Sequence, residues 1–236
     1  MTNSTPQATA NGARLVRLLA ELGMSDARLS HQGFADRLGQ LIDLSDSIDL
    51  ASTHLKLSAL PFERTSLSED AIRKDFFDVR AAMLGAISRS FSPGGNPGKL
   101  RLPELDVEGI EALDYKPYLR YYGAMQRDME FRVRNLQDRV RIALRGLSAR
   151  LARLVSIEEA LDQTLLHQHR KSFSVLPVLL KKRFDQHKEE QAEALVSLYQ
   201  RDMRALLLAE ADARLLPVLG LIEAMDEETE TPNTRH

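Results

Sequence analysis

The sequence predicts an all-α protein, a multi-helix bundle of about seven helices with one Gly/Pro-rich loop and disordered termini. Three observations carry that prediction. Apolar residues recur at i, i+3, i+4 and i+7 in every periodic segment, which puts them on one face of a 3.6-residue helix. No stretch alternates apolar and polar side chains in the manner of a half-buried strand. Between Tyr118 and Leu154, 36 residues are covered in ten apolar steps of 3.6, the α-helical repeat rather than the 3.5 of a heptad seam.

Residues 1–12 are small and polar and read as a disordered arm. A first helix follows from Ala13, with Leu15, Leu18, Leu19 and Leu22 inward and Gly23 as its C-terminal stop. Ser30 caps a second, whose apolar face is Phe34, Leu38, Leu41 and Ile42 and whose wet face is Asp43, Asp46 and Asp49. Ser68, Glu69 and Asp70 open a third, with Ile72, Phe76, Val79, Met83 and Ile87 inward. Residues 92–106 form the Gly/Pro-rich loop, dividing a helical unit of residues 13–225 into an N-terminal part, 13–91, and a C-terminal part, 107–225.

Pro117 suits the first turn of the long helix that follows. Its stripe is Tyr118, Tyr122, Met125, Met129, Val133, Leu136, Val140 and Leu144, continuing in register to Leu147, Leu151 and Leu154. Gly146 costs helix stability and Ser148 is a good cap, so a break there is favoured over one continuous helix. Ile157, Leu161 and Leu165 lead to a turn or kink before Pro177. Leu176, Leu179, Leu180 and Phe184 make the next face, then Leu195, Leu198, Met203, Leu206 and Leu207, before Pro217 and Gly220 punctuate a short last helix. Residues 226–236 read as an acidic disordered tail.

A net charge of -2 supplies no global attraction to nucleic acid or anionic lipid. The absence of cysteine excludes disulfides, thiolate nucleophiles and Cys-ligated metal. Arg or Lys interrupts each leucine-rich segment, so no membrane insertion is expected, and without a secretory signal the expected location is cytoplasmic. Gly98-Lys99 ends a glycine-rich run, but Pro93 stands where a phosphate loop needs Gly, Leu100 where it needs Ser or Thr, and a helix precedes it.

His167 and His169 are two apart and point to nearly opposite sides of a helix, so they cannot share a metal. Glu158, Asp162 and His169 do share a face, yet no second helix offers the Glu-x-x-His partner of a di-iron bundle, which leaves a salt-bridged rim. His187 and Glu190 read as a surface pair. No catalytic, cofactor or metal site is predicted, and the chain is not expected to be an enzyme.

Two surface candidates remain. Residues 115–155 hold ten Lys/Arg against three Asp/Glu. Within them Arg120, Arg127, Arg134 and Arg141 recur every seven residues and Arg145 joins them. With Tyr118 at zero these five point between about 140° and 200°, whereas the apolar stripe spans about -20° to 80°. Such a ridge is a solvated face, a site for an acidic protein partner, or a track for phosphates. The second candidate is an interface cluster of Tyr121, Tyr122, Met125 and Met129, residue types favoured where proteins meet.

Nearly the whole chain resembles a proteobacterial family of all-helical proteins classed as a domain of unknown function. The residues carrying the resemblance are Ala13-Arg-Leu-Val-Arg-Leu-Leu-Ala-Glu-Leu, Ser30-His-Gln-Gly-Phe-Ala-Asp-Arg-Leu-Gly-Gln, Tyr118-Leu-Arg-Tyr-Tyr, Val178-Leu-Leu-Lys-Lys-Arg-Phe and Arg201-Asp-Met-Arg-Ala-Leu-Leu-Leu-Ala-Glu-Ala-Asp-Ala-Arg-Leu-Leu-Pro. These are packing and capping patterns, so no catalytic residue comes with them. The resemblance implies a cytosolic accessory or effector subunit beside membrane proteins similar to flagellar stator motors, as in one variety of Zorya anti-phage defence system. The expected function is a non-enzymatic helical interaction protein that binds a co-encoded protein or forms a homodimer; the alternative is nucleic-acid binding through the arginine ridge.

Overall fold

The computed structural model describes residues 7–23, 68–92, 100–103, 115–186 and 192–230. Seven helices make up the regular structure there: α1 (Gln7–Glu21), α2 (Glu69–Ser90), α3 (Lys116–Arg145), α4 (Ala149–Ser174), α5 (Leu176–Gln186), α6 (Ala192–Arg214) and α7 (Leu216–Glu230). No strand occurs among the described residues. The all-α expectation is therefore met. The helix expected after Ser30 and the centre of the Gly/Pro-rich loop, residues 93–99, lie outside the described residues.

Local chemistry sets the helix ends. Gly23 sits at φ 66°, the left-handed conformation that closes α1, and its N–H donates to Ala20 at 3.0 Å. Glu69 and Asp70 occupy the first turn of α2 and Arg89 its last, in keeping with the helix dipole. The break at Gly146 is present: α3 ends at Arg145, and the Ser148 hydroxyl accepts the Leu151 N–H at 3.0 Å as the N-cap of α4. Ser148→Ala should cost about 1 kcal/mol. Urea denaturation checks this, and Ser148→Asp should restore most of the loss. Val175 is the turn before Pro177, which takes a place in the first turn of α5 where its missing N–H does no harm.

Both ends are more helical than the sequence reading expects. α1 begins at Gln7 within the arm of 1–12, where Gln7, Ala8 and Ala10 are good helix formers. α7 runs through Asp226 to Glu230. Asp226 is tied by Arg73 at 2.7 Å, and the Thr229 hydroxyl donates to the Met225 carbonyl at 2.9 Å.

The chain divides into two compact units, and the division does not follow the 92–106 loop. The first takes Met1–Ala27, Phe77–Arg134 and Ser174–Leu216. Its core is Met83, Ile87, Tyr118, Tyr121, Tyr122, Met125, Met129, Leu180, Phe184, Tyr199, Met203, Leu206 and Leu207, all buried. Tyr118 and Phe184 both meet the Tyr199 ring edge-on, with centroids 5.3 and 5.1 Å away. The second unit takes Arg28–Phe76, Asn135–Phe173 and Pro217–His236. Ile72, Phe76, Leu136, Val140, Leu144, Leu151, Val155, Val218, Leu221 and Met225 are buried within it. Beyond the break Leu151 is buried as the stripe predicts, and one turn on Val155 rather than Leu154 is the fully buried residue. No helix among the described residues is long and apolar enough to cross a membrane.

Candidate functional site

The interior of the first unit holds three carboxylates of α6, and arginines meet each of them. Asp202 is 3% exposed and accepts from Arg183 at 2.6 Å and Arg201 at 3.2 Å. Asp212 accepts from Arg14 of α1 at 2.8 Å and Arg80 of α2 at 2.9 Å. Glu210 is fully buried, accepting from Tyr122 at 2.9 Å, Gln126 at 2.9 Å and Arg214 at 2.7 Å. Burial pushes the Glu210 carboxyl above its ordinary value, and Arg214 pulls it back. These groups tie α6 to α1, α2, α3 and α5. A cavity of about 10 Å³ lies between α5 and α6, beside Leu180, Arg183, Phe184, Leu198, Tyr199 and Asp202.

The predicted Tyr/Met cluster is interior rather than a surface. Tyr121, Tyr122, Met125 and Met129 are 5%, 0%, 2% and 1% exposed. Tyr121 shares a hydrogen bond with the Ser90 hydroxyl of α2 and meets the Phe91 ring edge-on. Tyr122 reaches Glu210 of α6. The cluster is corrected to core because α3 packs against two neighbours in this unit, and its apolar arc is correspondingly wide.

The arginine ridge is also cut short. Arg141 is 8% exposed, with its guanidinium bonded to Glu158 at 2.6 Å and Asp162 at 3.1 Å of α4. Arg145 pairs with Glu159. The tight Gly146–Ser148 turn folds α4 back on the end of α3, so these two arginines face an acidic helix instead of solvent. The salt-bridged reading of Glu158 and Asp162 is what the structure displays. The His167 and His169 side chains, His31, His54, His187 and His236 lie outside the description. Among the described residues no three metal-ligating side chains converge.

Three arginines of the ridge stay on the outside of the first unit. Arg120 and Arg127 are exposed and, among the described residues, have no ion pair, while Arg134 has Glu130 at 3.6 Å, one turn away on its own helix. Between Arg127 and Arg134 stands Phe131, 68% exposed. Sequence reading missed Phe131, since a phenylalanine on an amphipathic helix reads as core. The signal was its angle, about 220° from Tyr118 and therefore beside the ridge. The outer face of α3 thus combines a large apolar ring with three arginines whose backbone positions are about 10.5 Å apart along the axis, two helical turns each.

Residues 1–227 match a family described as "Protein of unknown function (DUF3348)", and the chain belongs to that family. No curated protein and no solved structure matches it.

Proposed function

We propose that this member of the DUF3348 family is a non-enzymatic helical interaction protein that receives a protein partner on the outer face of α3. The supporting observation is Phe131, 68% exposed between Arg127 and Arg134. Aromatic residues and arginine are the types enriched where proteins bind, and covering one phenyl ring is worth roughly 1.5–3 kcal/mol. The family resemblance supports a narrower placement, as a cytosolic accessory or effector subunit of a stator-motor-linked, Zorya-like anti-phage system. In that placement the partner is a co-encoded protein. Co-expression of the tagged chain with its encoded neighbours tests the reading. The wild type should retain a neighbour through purification, and Phe131→Ser should lose it with helicity unchanged. If nothing co-elutes and light scattering reports a monomer at high concentration, the reading fails.

The second reading, nucleic-acid binding, draws on the same face, because arginines interleaved with an exposed ring also suit phosphates and a stacked base. Three phosphate contacts imply a log–log salt slope of about -2.7 on duplex DNA, at roughly -0.9 each. Arg141 and Arg145 should add nothing to it. Replacing Arg120, Arg127 and Arg134 by Gln should abolish that slope, whereas salt-insensitive or undetectable binding by the wild type removes this reading.

A further inference from the structure

We infer that the partner docks on α3 through an acidic amphipathic helix, an inference that rests on α3 being the partner face. Arg120, Ala124, Arg127, Phe131 and Arg134 stand at i, i+4, i+7, i+11 and i+14. They form one stripe about 21 Å long, with the alternating four- and three-residue spacing by which helices lie side by side. Ala124, small and half-buried, stands two turns before Phe131 on the stripe. Beside it the Arg127 guanidinium lies over Gly123, 3.6 Å from where a Cβ would stand. The short Ala124 side chain leaves room for a bulky partner side chain while Phe131 projects into the facing helix, which is knob-and-hole complementarity.

Charge decides the chemistry of that helix. The three arginines recur every seven residues, so Glu or Asp at heptad flanks of a facing helix meets each of them in turn. A nucleic-acid backbone fits less well, because its continuous charge would also run past the acidic Asp128 and Glu130. Asp128 holds Arg132 at 2.7 Å and Glu130 lies 3.6 Å from Arg134, so acids are interleaved with the bases on this stretch.

The probes are two labelled helical peptides long enough to span the stripe, sharing a leucine face and carrying either Glu or Lys at the heptad flanks, with oligothymidine as a third. Fluorescence anisotropy should show the wild type preferring the Glu peptide by about tenfold or more, equivalent to about 1.4 kcal/mol. The Arg120→Glu, Arg127→Glu, Arg134→Glu variant should reverse the preference. Phe131→Ser should weaken the Glu peptide about tenfold with an unchanged circular dichroism spectrum, as loss of the ring's burial implies. Equal binding of both peptides by the wild type, or a Phe131→Ser variant that binds as the wild type does, overturns the inference. So does oligothymidine displacing the Glu peptide in competition. A stripe variant that still captures a co-encoded neighbour overturns the helix-docking inference while leaving the interaction reading standing; if the wild type captures neither peptide nor neighbour, both fall.

Discussion

Raising the pH above 10 should leave the tyrosine absorbance of the native protein flat until the chain unfolds in one cooperative step. All five tyrosines are buried: Tyr115, Tyr118, Tyr121, Tyr122 and Tyr199 are 8%, 3%, 5%, 0% and 4% exposed. Burial raises each phenol above its ordinary value of 10.0, and beside Tyr122 the Glu210 carboxylate adds to the effect. A raised folded-state value means that the native chain keeps protons the unfolded chain gives up. The stabilisation is therefore complete below pH 10 and is lost as the pH climbs from there towards the folded-state values. With five protons at stake the loss approaches about 7 kcal/mol per pH unit, which exceeds the total stability of many domains within two units. Near-ultraviolet absorbance and far-ultraviolet circular dichroism should change together. Tyrosines that ionise gradually near pH 10 while helicity persists would contradict the described core.

The second large effect is expected at Glu210. Glu210→Ala should cost about 3–5 kcal/mol, because it removes the interior carboxylate to which the Arg214 guanidinium, 11% exposed, and the Tyr122 hydroxyl both donate. Replacing both members of the pair, Glu210→Leu with Arg214→Leu, should cost less than the two single changes summed, since each single change already removes the contact between them. Urea denaturation of the singles and the double measures that coupling. Strict additivity would show that the pair is not the organising contact described.

The fold was legible because helical periodicity and caps are local. The 3.6-residue stripe from Tyr118 to Leu144 is the buried face of α3, and Ser148 caps α4 as its position after Gly146 implies. What was not legible is which neighbour each face meets. Arg120, Arg127, Arg134 and Arg141 are identical in spacing and residue type, yet Arg141 alone of these four meets Glu158 and Asp162. Periodicity assigns directions to side chains and says nothing of what stands there. Tyr121 illustrates the same gap, lying off the stripe by angle and buried because α2 covers it. Glu210 did leave a trace, since it follows Met203 by seven residues and so occupies a core position of α6. A carboxylate there is tolerated only with partners, and those partners come from distant sequence.

Arginine-selective dicarbonyl labelling, read by mass spectrometry on the free chain and on its complex with a captured partner, shows whether the partner sits on the outer face of α3. In the free protein Arg120, Arg127 and Arg134 should react while Arg141 and Arg214, held in buried ion pairs, should not. Partner binding should then protect Arg120, Arg127 and Arg134 together. A complex in which those three remain as reactive as in the free chain would place the partner elsewhere and rule out the outer face of α3 as its seat.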